Sequence, residues 1–115
     1  MKVNIKRIYE PAEKNDGYRI LVDRLWPRGL TKESAKIDLW LKEVAPSTEL
    51  RQWFHAGEGG FDEFKARYNR ELKKNESLDT LQHLAEDRQV ITLLYAAKDH
   101  EHNHAVILKE MLHGD

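Results

Sequence analysis

No cysteine occurs among the 115 residues. Disulfides, thiolate catalysis and cysteine-ligated zinc or iron–sulfur centres are therefore excluded. Neither sign of charge is in excess: 19 Lys and Arg stand against 20 Asp and Glu, a net charge of −1. Such a balance gives no global drive toward nucleic acid or an anionic membrane, so any electrostatic function has to come from local clusters. Long apolar runs are also missing. The longest, residues 90–97, is interrupted by Thr92 and falls far short of the ~20 residues a membrane span needs. Residues 1–7 have neither the apolar core nor the small-residue cleavage site of a signal peptide. The expectation is a cytoplasmic protein with no membrane partner. Three prolines and six glycines are too few and too scattered to make a linker. With no internal repeat or low-complexity stretch, a single domain over residues 1–115 is expected. Neither G-x-G-x-x-G nor G-x-x-x-x-G-K-[ST] occurs, so the ordinary nucleotide-binding loops lose support.

What is present suits a globular domain: 40% hydrophobic and 34% charged residues, in a chain long enough to bury roughly two-thirds of its unfolded surface. Residues 3–9 are β-rich, with Val3, Ile5 and Tyr9 on one face, and Asn15-Asp16-Gly17 then marks a turn. Residues 18–22 form a short apolar run of the kind that becomes a buried strand. It leads into Asp23-Arg24-Leu25-Trp26-Pro27-Arg28-Gly29, where Pro27 and Gly29 forbid regular structure. Thr31 is placed to cap a short helix over residues 32–36. Ile37, Leu39 and Leu41 alternate as in a strand, while Ile37, Trp40, Leu41 and Val44 also fit a helix; the strand is preferred. Ser47 suits the cap of a helix bearing Leu50, Trp53 and Phe54. Phe61, Phe64, Tyr68 and Leu72 line one face of the clearest helix, with Asp62 and Glu63 in its first turn to complement the dipole. Ser77 opens another helix with Leu78, Leu81, Leu84 and Ala85 inward. Residues 90–95 read as a central strand, and Asn103 caps a last helix whose buried stripe is Ala105, Leu108, Met111 and Leu112.

Strands alternating with helices predict an α/β fold, a small single-domain sandwich with a mostly parallel central sheet flanked by helices. Ligands of such sheets bind beyond the carboxyl ends of the strands. Two loops are selected by that rule, residues 23–29 and residues 96–103. The first, counted with Arg19, holds three arginines in ten residues together with Trp26 and Asp23. Guanidinium groups grip phosphate or carboxylate bidentately and stack on flat rings, and an indole offers a face to a base or a cation. Asp23, Arg24, Trp26 and Arg28 are accordingly candidate ligand-binding residues. The competing structural account pairs Asp23 with one arginine and buries Leu25 and Trp26. In the second loop Lys98, Asp99 and Asn103 are candidates, since a lysine and an acid at a strand end suit anion binding or proton transfer; a surface pair that helps the loop turn is the alternative.

His100-Glu101-His102-Asn103-His104 matches H-E-x-x-H literally. That motif binds zinc when both histidines share a helical face. With a helix starting near Asn103 they would not, so no metal site is expected. Ser47 and His55 lack the G-x-S-x-G elbow of a serine hydrolase, and the cap explains Ser47. Arg51, Lys65, Arg67 and Arg70 sit among acids such as Glu63 and Glu71 and read as solvated helix faces.

Residues 19–29 (Arg-Ile-Leu-Val-Asp-Arg-Leu-Trp-Pro-Arg-Gly), residues 40–47 (Trp-Leu-Lys-Glu-Val-Ala-Pro-Ser) and residues 94–99 (Leu-Tyr-Ala-Ala-Lys-Asp) together resemble the YeaO-like branch of the domain-of-unknown-function 488 (DUF488) family. The resemblance spans almost the whole chain. It implies a small bacterial α/β protein and supplies no reaction, substrate or cofactor. Other branches of that family carry a cysteine and a histidine near the last strand and helix, so a thiol or metal role there does not transfer to this cysteine-free chain. Two functions stay open at this level. One is recognition of a small anionic, phosphate- or nucleotide-like compound between the two loops, as an enzyme or a sensor. The other is a nucleic-acid-binding accessory role with Trp26 as stacking platform, which the balanced charge disfavours.

Overall fold

Consecutive apolar residues at 20–22 and 93–95 require both faces of those strands to be covered, and the computed structural model, which describes residues 1–112, shows how unequally this is done. Four strands, β1 (Lys2–Arg7), β2 (Tyr18–Leu21), β3 (Leu39–Trp40) and β4 (Val90–Tyr95), form one parallel sheet in the order β1-β4-β2-β3. The helices are α1 (Lys32–Ala35), α2 (Thr48–His55), α3 (Phe61–Leu72), α4 (Glu76–Asp87) and α5 (His104–Met111). The α/β class and the parallel sheet are as the sequence predicts. The ambiguous stretch resolves into a strand of only two residues, β3, followed by a 3-10 turn at Lys42–Val44.

One face of the sheet is thick. Val3, Ile20, Val22, Ile91, Leu93 and Tyr95 pack there against Leu50, Phe64, Tyr68, Leu81, Ala85 and Leu108 from α2 to α5. The opposite face is thin: Ile8, Leu21, Ala35 and Leu94 form a small second core, closed by Trp26, Leu30, Ile37 and Trp40 from the loops around α1. The two cores follow from the period-2 alternation of a strand. Thr31 and Ser47 cap α1 and α2, and Asn103 caps α5, as their side-chain chemistry dictates. The cap of α4 lies earlier than expected. Asn75, not Ser77, is the N-cap, and its side chain accepts from the Ser77 N–H. Tyr9 lies beyond the end of β1 and is exposed rather than on its buried face.

Polar residues complete the thin face. Arg19 on β2 pairs in register with Thr92 on β4, and both are buried. Arg19 donates to Asp16 Oδ2 at 2.6 Å and to the carbonyls of Ala35 and Lys36 at 3.0 and 2.8 Å. It thereby closes the C-terminal end of α1, where Lys36 takes a left-handed conformation at φ 52°. Lys6 reaches the other Asp16 oxygen at 3.0 Å, and Thr92 donates to the Asp16 carbonyl at 2.6 Å. Gly17 completes the corner: its φ is +65°, and a Cβ there would strike the Val90 carbonyl.

This cluster links stability to pH. Burial pushes the Asp16 carboxyl up, but the Glu13 N–H and the Lys6 and Arg19 hydrogen bonds outweigh it and hold the group below its usual range. Lys6 is the mirror case: burial pulls it down, and Glu13 and Asp16 raise it above its usual value. A lowered carboxyl pKa gives stability that is present above the unfolded value, about 3.9, and is lost as pH falls through the folded one. A raised lysine gives stability present below its unfolded value and lost as pH rises through the folded one. Urea unfolding followed from neutral pH down to about pH 2 should therefore show an acid limb that Asp16→Asn flattens. An unchanged limb in that variant would place the acid sensitivity elsewhere.

Candidate functional site

The carboxyl ends of β1, β2 and β4 open into a cleft of about 570 Å³. Its walls bring together every residue of the two loops that sequence reasoning selected: Asp23, Arg24, Trp26 and Arg28 from one, Lys98, Asp99 and Asn103 from the other. What each side chain does there differs greatly.

Three of the seven serve the loops themselves. The Trp26 indole N–H donates to Leu30 O at 2.7 Å, and its ring meets Trp40 edge-on at 5.3 Å. A half-buried indole so engaged is a poor stacking platform for a base. Asp99 accepts from the N–H groups of Glu101 and His102 at 2.9 and 3.0 Å and contacts His102 Nδ1 at 2.9 Å. Those contacts, the Glu101 N–H first, hold its carboxyl below the usual range. Asn103 is buried, donates to Asp99 O at 2.8 Å and accepts from Val106 N at 3.1 Å as the cap of α5.

Asp23 and Arg24 are braces that still face the cleft. Arg24 donates to the carbonyls of Pro46 and Ala45 at 3.2 and 3.0 Å, tying the loop after β2 to the start of α2. Among the described residues Asp23 is paired with no arginine. Its Oδ2 accepts from Ala96 N at 2.9 Å, joining the two loops, and its Oδ1 lies 3.1 Å from His104 Nε2. That nitrogen is also 3.0 Å from Val22 O. A carbonyl only accepts, so His104 carries a hydrogen on Nε2. Because that hydrogen is aligned on Val22, Asp23 Oδ1 is left buried without a donor among the described residues, despite its short approach. Leu25, which follows these braces in the chain, is 59% exposed.

The unengaged cations are Arg28, Lys98 and a residue that sequence reasoning assigned to a solvated face, Arg51. Among the described residues none of their side chains has a hydrogen-bond or ion-pair partner. Arg51 is half-buried on α2, and its Nε is shielded from solvent with nothing to donate to. Four cationic side chains thus face two carboxylates along the cleft, one of which is occupied by its own loop. The helix that carries Arg51 is positioned from behind. Ser47 gives its N–H and hydroxyl to Glu71 at 2.9 and 2.6 Å, and the buried Tyr68 hydroxyl donates to Val44 O at 2.6 Å. Burial raises the Tyr68 pKa well above its ordinary value, so that donor persists. Arg7 makes a further brace that the sequence did not flag, donating to Ala96 O and Ala97 O at 3.2 and 3.0 Å.

A signal for Arg51 did exist: Arg51, Phe54 and His55 stand at i, i+3 and i+4 on α2, and all three line the cleft. The H-E-x-x-H string is split as expected. His100 lies in the loop, with Nδ1 3.2 Å from the Tyr95 hydroxyl, while His104 begins α5. Among the described residues no group of three or more His, Asp or Glu is arranged to hold a metal.

Comparison with known proteins agrees with this picture of an α/β chain whose chemistry is not evident. A family model, DUF488-N3i, described as the inactive DUF488-N3 subclade, matches residues 2–115. Uncharacterized protein YeaO of Escherichia coli (strain K12) is 46% identical over 112 residues, 97% of each chain. Uncharacterized protein Rv3073c of Mycobacterium tuberculosis and Uncharacterized protein Mb3100c of Mycobacterium bovis are each 41% identical over 113 residues, 98% of this chain and 95% of theirs. No solved structure matches. The extent of the family match and of these alignments makes the chain a member of the DUF488 family, in the subclade described as inactive DUF488-N3.

Proposed function

We propose that the protein binds a small anionic, phosphate-like ligand in the cleft between the loops of residues 23–29 and 96–103. The observation that carries this is Arg51. A half-buried guanidinium without a counter-ion is unfavourable, and an anion in the cleft would supply what the protein does not. Arg28 and Lys98 on the same walls add two charges without that burial, unpaired among the described residues. Binding rather than turnover is the property proposed, in keeping with the word "inactive" in the subclade's description. A cytoplasmic, bacterial setting completes the proposal, supported by the cysteine-free composition, the lack among the described residues of a helix long and apolar enough to cross a membrane, and the bacterial sources of the relatives.

Nucleic acid is the weaker ligand because Trp26 is engaged with Leu30 and Trp40. Thermal unfolding in the presence of inorganic phosphate and of adenosine monophosphate tests the proposal. A ligand at 100 times its Kd stabilises the fold by about 2.7 kcal/mol, so a saturable rise in Tm that salt suppresses is expected. A Tm unmoved by millimolar concentrations of both would end it.

A further inference from the structure

We infer that the anion this cleft takes is carried on a flat apolar ring, the class of aryl phosphates, and is not a bare inorganic ion. The inference rests on the anion-binding proposal and adds the body of the ligand to its charge. Size is the first reason. A cleft of about 570 Å³ lies within the roughly 300–1,000 Å³ used for whole organic ligands, far more than one phosphate occupies. Exposure is the second. Among the described residues only Met1, Tyr9 and Leu25 are exposed large hydrophobics, and Tyr9 and Leu25, 40% and 59% exposed, both line this cleft.

Flatness is the third. Phe54, half-buried on the same helix face as Arg51, stacks on Phe64 with ring centroids 4.4 Å apart and planes 25° from parallel. Phe64 also lines the cleft and is itself buried in the main core, so the pair offers a rigid aromatic surface. Rings pack on such surfaces with more than their area alone would give. The guanidinium of Arg51, three residues before Phe54, binds a phosphate through its edge and a ring through its face.

Isothermal titration with inorganic phosphate, phenyl phosphate and butyl phosphate tests the inference. Phenyl phosphate should bind about tenfold or more tighter than inorganic phosphate, the gain that partial burial of a ring brings, and tighter than butyl phosphate. Leu25→Ala, at a side chain that supports little of the fold, should reduce the phenyl advantage and leave inorganic phosphate unaffected; Phe54→Leu should do so more strongly. Equal affinities for phenyl and inorganic phosphate, or an advantage that neither variant reduces, overturn the ring and leave the anion proposal standing. Butyl phosphate binding as tightly as phenyl overturns the ring in favour of a chain. If none of the three binds, both proposals fall.

Discussion

Replacing Arg19 with alanine should lower the free energy of unfolding by about 3 kcal/mol or more, since removing one partner of a buried pair typically costs about 3–5 kcal/mol. The side chain is 7% exposed, and its loss strips a donor from Asp16 and from the carbonyls of Ala35 and Lys36. Lys6 remains on Asp16 at 3.0 Å, which favours the lower end of that range. Urea unfolding with an unchanged m-value is the measurement. A loss below about 1 kcal/mol, the value of exposed ion pairs, would mean that the pair is solvated in solution.

A second large effect separates the thin core from the cleft. Leu21 is fully buried and is one of four residues at the centre of the thin face. Leu21→Ala should cost about 2–5 kcal/mol through the cavity it leaves. Ligand affinity should stay within a fewfold of wild type wherever the variant is folded, because Leu21 lines no part of the cleft. Arg28→Ala should behave oppositely. Its side chain is exposed and, among the described residues, unpaired, and the contact it does make, as acceptor to the Tyr9 hydroxyl at 2.8 Å, uses the backbone carbonyl that alanine keeps. Stability should change by no more than about 0.5 kcal/mol. The lost charge-assisted contact to a bound anion should weaken affinity roughly ten- to hundredfold. Unfolding of Arg28→Ala as severe as that of Leu21→Ala would make Arg28 a brace.

These contrasts show which parts of the molecule were legible in the chain. Period-2 alternation separates Ile20 and Val22 from Arg19 and Leu21, and so puts Arg19 on the opposite face from the main core. Counting Arg19 with the loop arginines overlooked that parity. Its guanidinium is a structural brace because the thin face is covered only by the one-turn α1 and its flanking loops and completes itself with ions. The two loops were legible because strand ends in a parallel sheet point to one side. Helical spacing places Arg51 on one face with Phe54 and His55, but where that face points was not legible, because it depends on how α2 is rotated against α3. That rotation is set by Ser47, Glu71, Val44 and Tyr68, partners 24 residues apart in sequence. Leu25 reads as a core residue from its type alone, and the close approach of Asp23 to His104 needs two segments 81 residues apart to meet.

The anion-binding claim is tested most directly by Arg51→Met, with stability and phosphate affinity measured on the same preparation. Methionine keeps an apolar stem of similar length and removes only the charge and its donors. If Arg51 is held without a counter-ion to receive a ligand, the variant should be at least as stable as wild type, because an unpaired, half-buried guanidinium contributes nothing favourable to the unliganded fold. It should also lose about 1.5–3 kcal/mol of anion affinity, roughly ten- to hundredfold. A variant clearly less stable than wild type that binds phosphate as well as wild type does would contradict the claim. Arg51 would then be a structural residue, and the cleft would have no anion site centred on it.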